Sequence, residues 1–185
     1  MQARRTKKEF RLDSRFCFKL PATLGDRGTM PYERLNVADD LARWLAELGF
    51  TDFTHVISEQ DLELTKHFRE VVQRAGEALA KGQTIKRKDL NEINTTAMLP
   101  PPIPQLSKNG QHSIWLATEL GAVLSMIARD FIELATGPLS AQVKLCAHPS
   151  CQGVFVDESR PKNRRWCSMQ TCGNLMKKTK IQQRN

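Results

Sequence analysis

Aromatic residues are scarce in this 185-residue chain, at 6%, with a single tyrosine. No run of eighteen or more uncharged apolar residues occurs, so no membrane-spanning helix is expected. A glycine-rich phosphate loop, a nucleophile–base motif and a helix with paired histidine and carboxylate are all missing. A non-enzyme is therefore expected, although a cleft shared by His55, His67 or His112 would reopen catalysis. The opening MQARRTKKEF has no apolar core of the signal-peptide kind, which leads us to expect a cytoplasmic protein. Apolar residues still make up 40% of the chain. That is enough for a core and excludes wholesale disorder.

What the chain does have is a cysteine cluster. Four of its five cysteines fall in two pairs, Cys146/Cys151 and Cys167/Cys172, each with four residues inside the pair. Zinc takes four thiolate or imidazole ligands in a tetrahedron, and two short chain turns with paired ligands supply one. Two disulfides are the competing use of these thiols, but an odd cysteine count and tight clustering suit a reducing compartment better. His148 is an alternative ligand inside the first pair. A shell of four cysteines leaves no coordination position for water, which points to one structural Zn²⁺ per chain. Cys17 stands apart and reads as a buried thiol.

Charge is distributed unevenly. Residues 144–185 carry nine basic groups against Asp157 and Glu158, a net +7, and residues 1–20 carry seven against two, a net +5. Between them, 21–143 hold twelve basic and sixteen acidic groups, a net −4. A solvated surface is the bland meaning of such a balance, but concentration beside a metal site points to phosphate chains.

Taken in order, residues 1–15 read as a mobile basic arm. Phe16 to Leu20 reads as a short strand ending at Pro21, and 25–31 as a turn-rich loop. A helix capped by Asn36, with Asp39 third, presents Val37, Leu41, Trp44, Leu45 and Leu48 on one face before Gly49. A second starts at Ser58 with Asp61 in a capping-box position. Its stripe is Leu64, Phe68, Val71, Val72, Ala75 and Leu79. A short helix over 89–96 follows the solvated Lys86-Arg87-Lys88, and the prolines of 99–104 enforce extended chain. Asn109-Gly110 predicts a hairpin. A long helix from Glu119 to Thr136, capped by Thr118, closes the body. In the cysteine region, Gly153 to Val156 alternates as a strand, with Arg164-Arg165-Trp166 returning as its partner. Ser168 then caps a helix to about residue 182. Phe155 and Trp166 form a small core there, although Trp166 has the alternative use of stacking on a base.

The segments Arg165-Trp166-Cys167-Ser168 and Thr171-Cys172-Gly173-Asn174, with Lys177, resemble the CGNR zinc-finger family. Those bacterial proteins join this finger to an N-terminal ABATE domain, and they are described as stress-induced transcription regulators. Leu20-Pro-Ala-Thr-Leu-Gly, Pro31-Tyr-Glu-Arg-Leu and Asp40-Leu-Ala-Arg-Trp-Leu are similar to that ABATE domain. The resemblance implies that Cys146, Cys151, Cys167 and Cys172 are the zinc ligands. At one place the chain departs from the pattern: Leu175 stands where the family has arginine after Cys-Gly-Asn.

The expected architecture is α+β and mainly α. A helical N-terminal domain with a short β-hairpin (16–140) follows the arm (1–15), and a treble-clef-like zinc finger with a basic C-terminal helix (141–185) ends the chain. The expected function is transcription regulation, with DNA bound through Arg160, Lys162, Arg164, Arg165, Lys177, Lys178 and Lys180. A small-molecule or protein ligand of the helical domain, and a homodimer, complete the expected partners. The alternative is a structural zinc module whose basic face meets RNA or an acidic protein.

Overall fold

The computed structural model describes residues 9–11, 14–51, 53, 56–117 and 119–177. Phe16–Lys19 forms a helical turn, α1, where a strand was expected. Burial explains the difference. Cys17, Phe18 and Leu20 are all fully inside, which one turn of helix permits and an alternating strand does not. The Asp130 carboxylate accepts the Cys17 N–H at 2.8 Å, satisfying a donor at the start of the turn. Pro21–Thr23 continues as a 3₁₀ turn. Leu24–Gly25 (β1) and Tyr32–Glu33 (β2) then pair antiparallel across the expected loop.

Ala38–Glu47 (α2) begins one residue later than expected: Val37 holds the N-cap position, and Asp40, not Asp39, accepts the Asn36 N–H at 2.9 Å. Leu41, Trp44 and Leu45 are buried, whereas Val37 is half exposed. Glu59–Ala80 (α3) opens on the expected capping box, with Ser58 Oγ accepting from Asp61 N and Asp61 Oδ2 accepting from Ser58 N. Phe68, Val71, Val72 and Ala75 face inward, but Leu62 replaces Leu64, which is 53% exposed. Arg87–Ala97 (α4) starts two residues before Asp89, whose buried carboxylate meets Arg74 at 2.6 Å. Lys86, Arg87 and Lys88 are exposed as expected.

Ile103–Leu106 (β3) and Ser113–Leu116 (β4) make the hairpin. Its turn is wider than a two-residue Asn-Gly loop, because Gly110 N–H donates to Ser107 O and Ser107 N–H donates to His112 O. Leu120–Thr136 (α5) follows with Glu119 at the N-cap position; Thr118, expected there, lies outside the described residues. After a 3₁₀ turn over Ser140–Gln142, Val143–Leu145 (β5) pairs antiparallel with Val154–Val156 (β6). This corrects the expected hairpin, since the partner of β6 precedes the first cysteine pair.

One buried cluster runs through α1 to α5 and takes in Val143, Val154 and Val156 from the β5–β6 hairpin. Phe18 packs edge-on against Phe131, ring centres 6.3 Å apart. Burial of each such side chain contributes about 1.5–3 kcal/mol. At Gly76 of α3 the helix approaches β6 so closely that a Cβ would lie 2.8 Å from Phe18 Cε1 and 3.0 Å from Val154 Cγ1. A buried polar network crosses the same region: Arg69 clamps Glu33 through two bonds of 2.7 and 2.8 Å and also meets Glu70. Burial alone would raise the Glu33 pKa, but Arg69 and the N–H groups of Leu35 and Arg34 outweigh it and bring it below the ordinary value.

Residues 9–11, assigned to a mobile arm by sequence, are docked. Phe10 is buried under the Arg43 guanidinium, and Glu9 O accepts from Arg34 Nε at 3.0 Å. Among the described residues no helix is long and apolar enough to cross a membrane.

Candidate metal centre

The β5–β6 ladder runs on beyond the strands through Cys146 N–H to Gly153 O, 2.9 Å, and Cys151 N–H to His148 O closes the turn at its tip. Gln152 takes a left-handed φ of 50° to leave that turn. The first cysteine pair thus sits on a rigid knuckle. It is held from outside as well. Gly28, in the β1–β2 loop, donates to Ser150 O at 3.0 Å, and a Cβ there would fall 2.0 Å from Pro149 O.

The return segment lies alongside the knuckle and does not face β6. Ala147 N–H donates to Arg165 O at 2.8 Å, and Cys167 N–H points at Cys146 Sγ, 3.4 Å away. Met169–Gly173 then winds as a π-turn that carries Cys172 inward, and residues 174–177 continue as α-helix. Ser168 holds the N-cap position, but its side chain makes no capping bond. The remainder of the expected helix, including Lys178 and Lys180, lies outside the described residues.

All four sulfurs fall within 4.8 Å of one another. Cys167 Sγ is 3.7 Å from both Cys151 Sγ and Cys172 Sγ. Four sulfurs around zinc at 2.3 Å would be about 3.8 Å apart along each tetrahedral edge. The donor set therefore fits one structural zinc, and these distances are non-bonded, which sets aside the disulfide alternative. His148 is outside the set; its Nδ1 accepts Ser150 N–H at 3.3 Å. Without a dication the thiols compete for charge. Hydrogen bonds from Cys151, Cys167 and Cys172 pull the Cys146 pKa far below its usual 9.0, while bonding to Cys146 pushes Cys167 and Cys172 up. Four thiolates together need the metal.

Three residues around the centre were not singled out by sequence in the roles they hold. Asp157 is fully buried and gathers the loop 157–164: Lys144 Nζ and Arg164 N–H both donate to Oδ2 at 2.7 Å, and Ser159 donates to Oδ1. Burial opposes its ionisation, but those donors outweigh it and hold its pKa well below the carboxylate range. The second is Arg164, expected as a phosphate clamp. Its Nη2 instead donates to Cys167 O at 2.6 Å and its guanidinium lies over Phe155. Arg11, from the N-terminal segment, is the third. Although burial works against its charge, the sulfurs of Cys151, Cys167 and Cys172 raise its pKa. Asp157 two residues before Ser159, an Asx-turn pattern, is the one sequence signal that could have found any of these.

Of the other expected cations, Arg160, Lys162, Arg165 and Lys177 are exposed. Arg165 also covers Trp166, which is half-buried beside the cysteines. Cys17 is buried far from this group, its thiol pKa raised by burial and by Asp130. His67 meets Glu92 at 2.8 Å on an exposed helix face, and His112 sits in the hairpin loop. His55 lies outside the described residues.

A helical body that grips a four-sulfur zinc finger places the chain among zinc-finger proteins with an appended helical domain. Residues 14–138 match the ABATE family, described as "Putative stress-induced transcription regulator", and residues 142–185 match the CGNR zinc finger. The chain belongs to the ABATE family and carries a CGNR zinc finger. No curated protein matches it.

Proposed function

We propose that this protein is a cytoplasmic, non-catalytic transcription regulator that binds DNA through the finger. The observation that carries the reading is the concentration of exposed cations on one zinc-held scaffold. Arg160 and Arg165 are exposed on the return loop, and Lys177 on the helix that follows Cys172; Lys162 is exposed too, with its Nζ donating to Asp157 O at 3.2 Å. Lys178 and Lys180 follow in sequence. A rigid mount reduces the entropy lost when such side chains settle on phosphates. Leu175, half exposed on that helix where the family has arginine, removes a guanidinium suited to a guanine edge. Backbone contact therefore dominates over base readout. Arg164 is withdrawn from the contact set because it braces Cys167.

The test is fluorescence anisotropy on random duplex pools over a salt series, with and without chelator. The expected result is zinc-dependent binding whose salt slope flattens by about two in a Lys177→Ala/Lys178→Ala double variant. Duplex binding that survives chelation, or an unchanged slope, refutes the placement. A preference for RNA would favour the interaction-module alternative.

A further inference from the structure

A cavity of about 220 Å³ opens where the N-terminal segment, the 3₁₀ turn, α3, β6 and one cysteine of each pair (Cys151 and Cys167) converge. At roughly 30 Å³ per water it holds about seven waters. That is below the 300–1,000 Å³ usual for drug-sized ligands, so its natural occupant is small. Its walls come from both halves of the chain: Pro21, Ala22 and Leu24 on one side, Val154 and Cys167 on the other.

Two polar atoms of residues lining it, Ser14 Oγ and Gln73 Oε1, are buried without a hydrogen-bond partner among the described residues. Gln73 is only 2% exposed, and its amide nitrogen is already committed to Glu77 Oε1 at 2.8 Å and Gln152 O at 3.4 Å. Those two bonds fix the orientation of the amide and leave its oxygen as an unmet acceptor. A buried group in that condition costs about 1–3 kcal/mol, so a matching donor is worth binding.

Charge narrows the ligand further. Arg15 is matched by Asp130 at 2.9 Å and by Glu133. The other arginines of the described lining, Arg11 and Arg164, are set against Glu158 and against a tetrathiolate whose four sulfurs would leave zinc with two negative charges. The described lining thus carries no net positive charge to hold a carboxylate or phosphate.

We propose that this cavity binds a small uncharged molecule of about one ring, donating an amide, heterocyclic N–H or hydroxyl hydrogen to Gln73 Oε1 and resting its apolar face on Pro21, Ala22 and Leu24. Its regulatory meaning rests on the DNA-binding reading, since a ligand touching α3 and Cys167 together would stiffen the seam between body and finger. Occupancy itself does not depend on that reading.

The experiment is a titration of the zinc-loaded full chain, free of DNA, with benzamide, phenol, indole and 2-pyridone against benzoate and phenyl phosphate. The readouts are the NMR signals of the Gln73 side-chain amide in the parent and of the Leu24 and Val154 backbone amides in the parent and both variants. At least one neutral probe should shift these signals and bind at least tenfold tighter than either anion. Gln73→Leu should abolish the effect with one zinc per chain retained, and Ala22→Phe, which fills the space, should do so with Gln73 intact. The proposal is overturned if no neutral probe shifts these signals, if an anion binds equally well, or if both variants bind as the parent does. A probe that binds but leaves duplex affinity unchanged refutes only the regulatory link.

Discussion

Gly76→Ala separates two opposing effects whose sizes can be weighed. In a helix interior alanine is favoured over glycine by about 1 kcal/mol, so propensity alone predicts a more stable protein. The added methyl, however, would sit 2.8 Å from Phe18 Cε1 and 3.0 Å from Val154 Cγ1. Ordinary contact begins near 3.4 Å, so one neighbour must retreat by about half an ångström. Phe18 has no room, being fully buried and locked against Phe131. Overpacking of this kind costs about 1–3 kcal/mol, and the rigid neighbours place it in the upper half of that range. The net loss is about 1–2 kcal/mol. For a chain of this size that lowers Tm by roughly 2–8 °C. Calorimetry of the zinc-loaded protein measures it, and Val154→Ala in the Gly76→Ala background should restore part of the loss by removing the second clash. A Tm equal to or above the parent would show that α3 and β6 are not in contact as described.

Zinc analysis should return one ion per chain, and Cys151→Ser or chelation should remove it, dequench or shift Trp166 fluorescence and lower Tm; a chelated protein with an unchanged melt refutes the structural role. Asp157→Asn keeps the shape but loses the charge that Lys144 and Arg164 N–H address. Zinc release to a colorimetric chelator should become several-fold faster, with unchanged release counting against the clamp. Glu33 and Glu70 both have folded pKa values below their ordinary 4.5. The stability they confer is therefore complete above that value and lost as pH falls through the folded value. Urea unfolding across pH should show an acid limb below about pH 4.5 that shrinks in Glu33→Gln, and an identical limb in that variant would refute the assignment.

Local signals were legible where side chain and backbone agree within a few residues. The Ser58–Asp61 box, the hairpin at Asn109-Gly110 and the two cysteine pairs each carry their own geometry, and each formed, the hairpin on a wider turn than Asn-Gly alone makes. Phe16 to Leu20 misled because its β-type residues are overruled by the burial of Cys17, Phe18 and Leu20 together and by Asp130, more than a hundred residues away. Leu64 and Leu62 exchanged places because α3 turns Arg69 inward to meet Glu33 and Thr23 and buries Thr65, whose hydroxyl donates to Asp61 O, a rotation no apolar stripe encodes. The partner of β6 was misplaced for a similar reason: the polar turn at 157–164 looks like a hairpin loop, yet Asp157 folds it onto itself. Arg11 was unreadable because nothing local ties a terminal arginine to a sulfur 140 positions on.

Strand β6 has no outward face. Val154 and Val156 belong to the helices and Phe155 to the cysteines, so three consecutive residues are common property of two neighbours. Losing the ion would slacken a wall of the helical body, and severing the chain near residue 140 would bare a greasy trough along α3 instead of freeing two independent pieces.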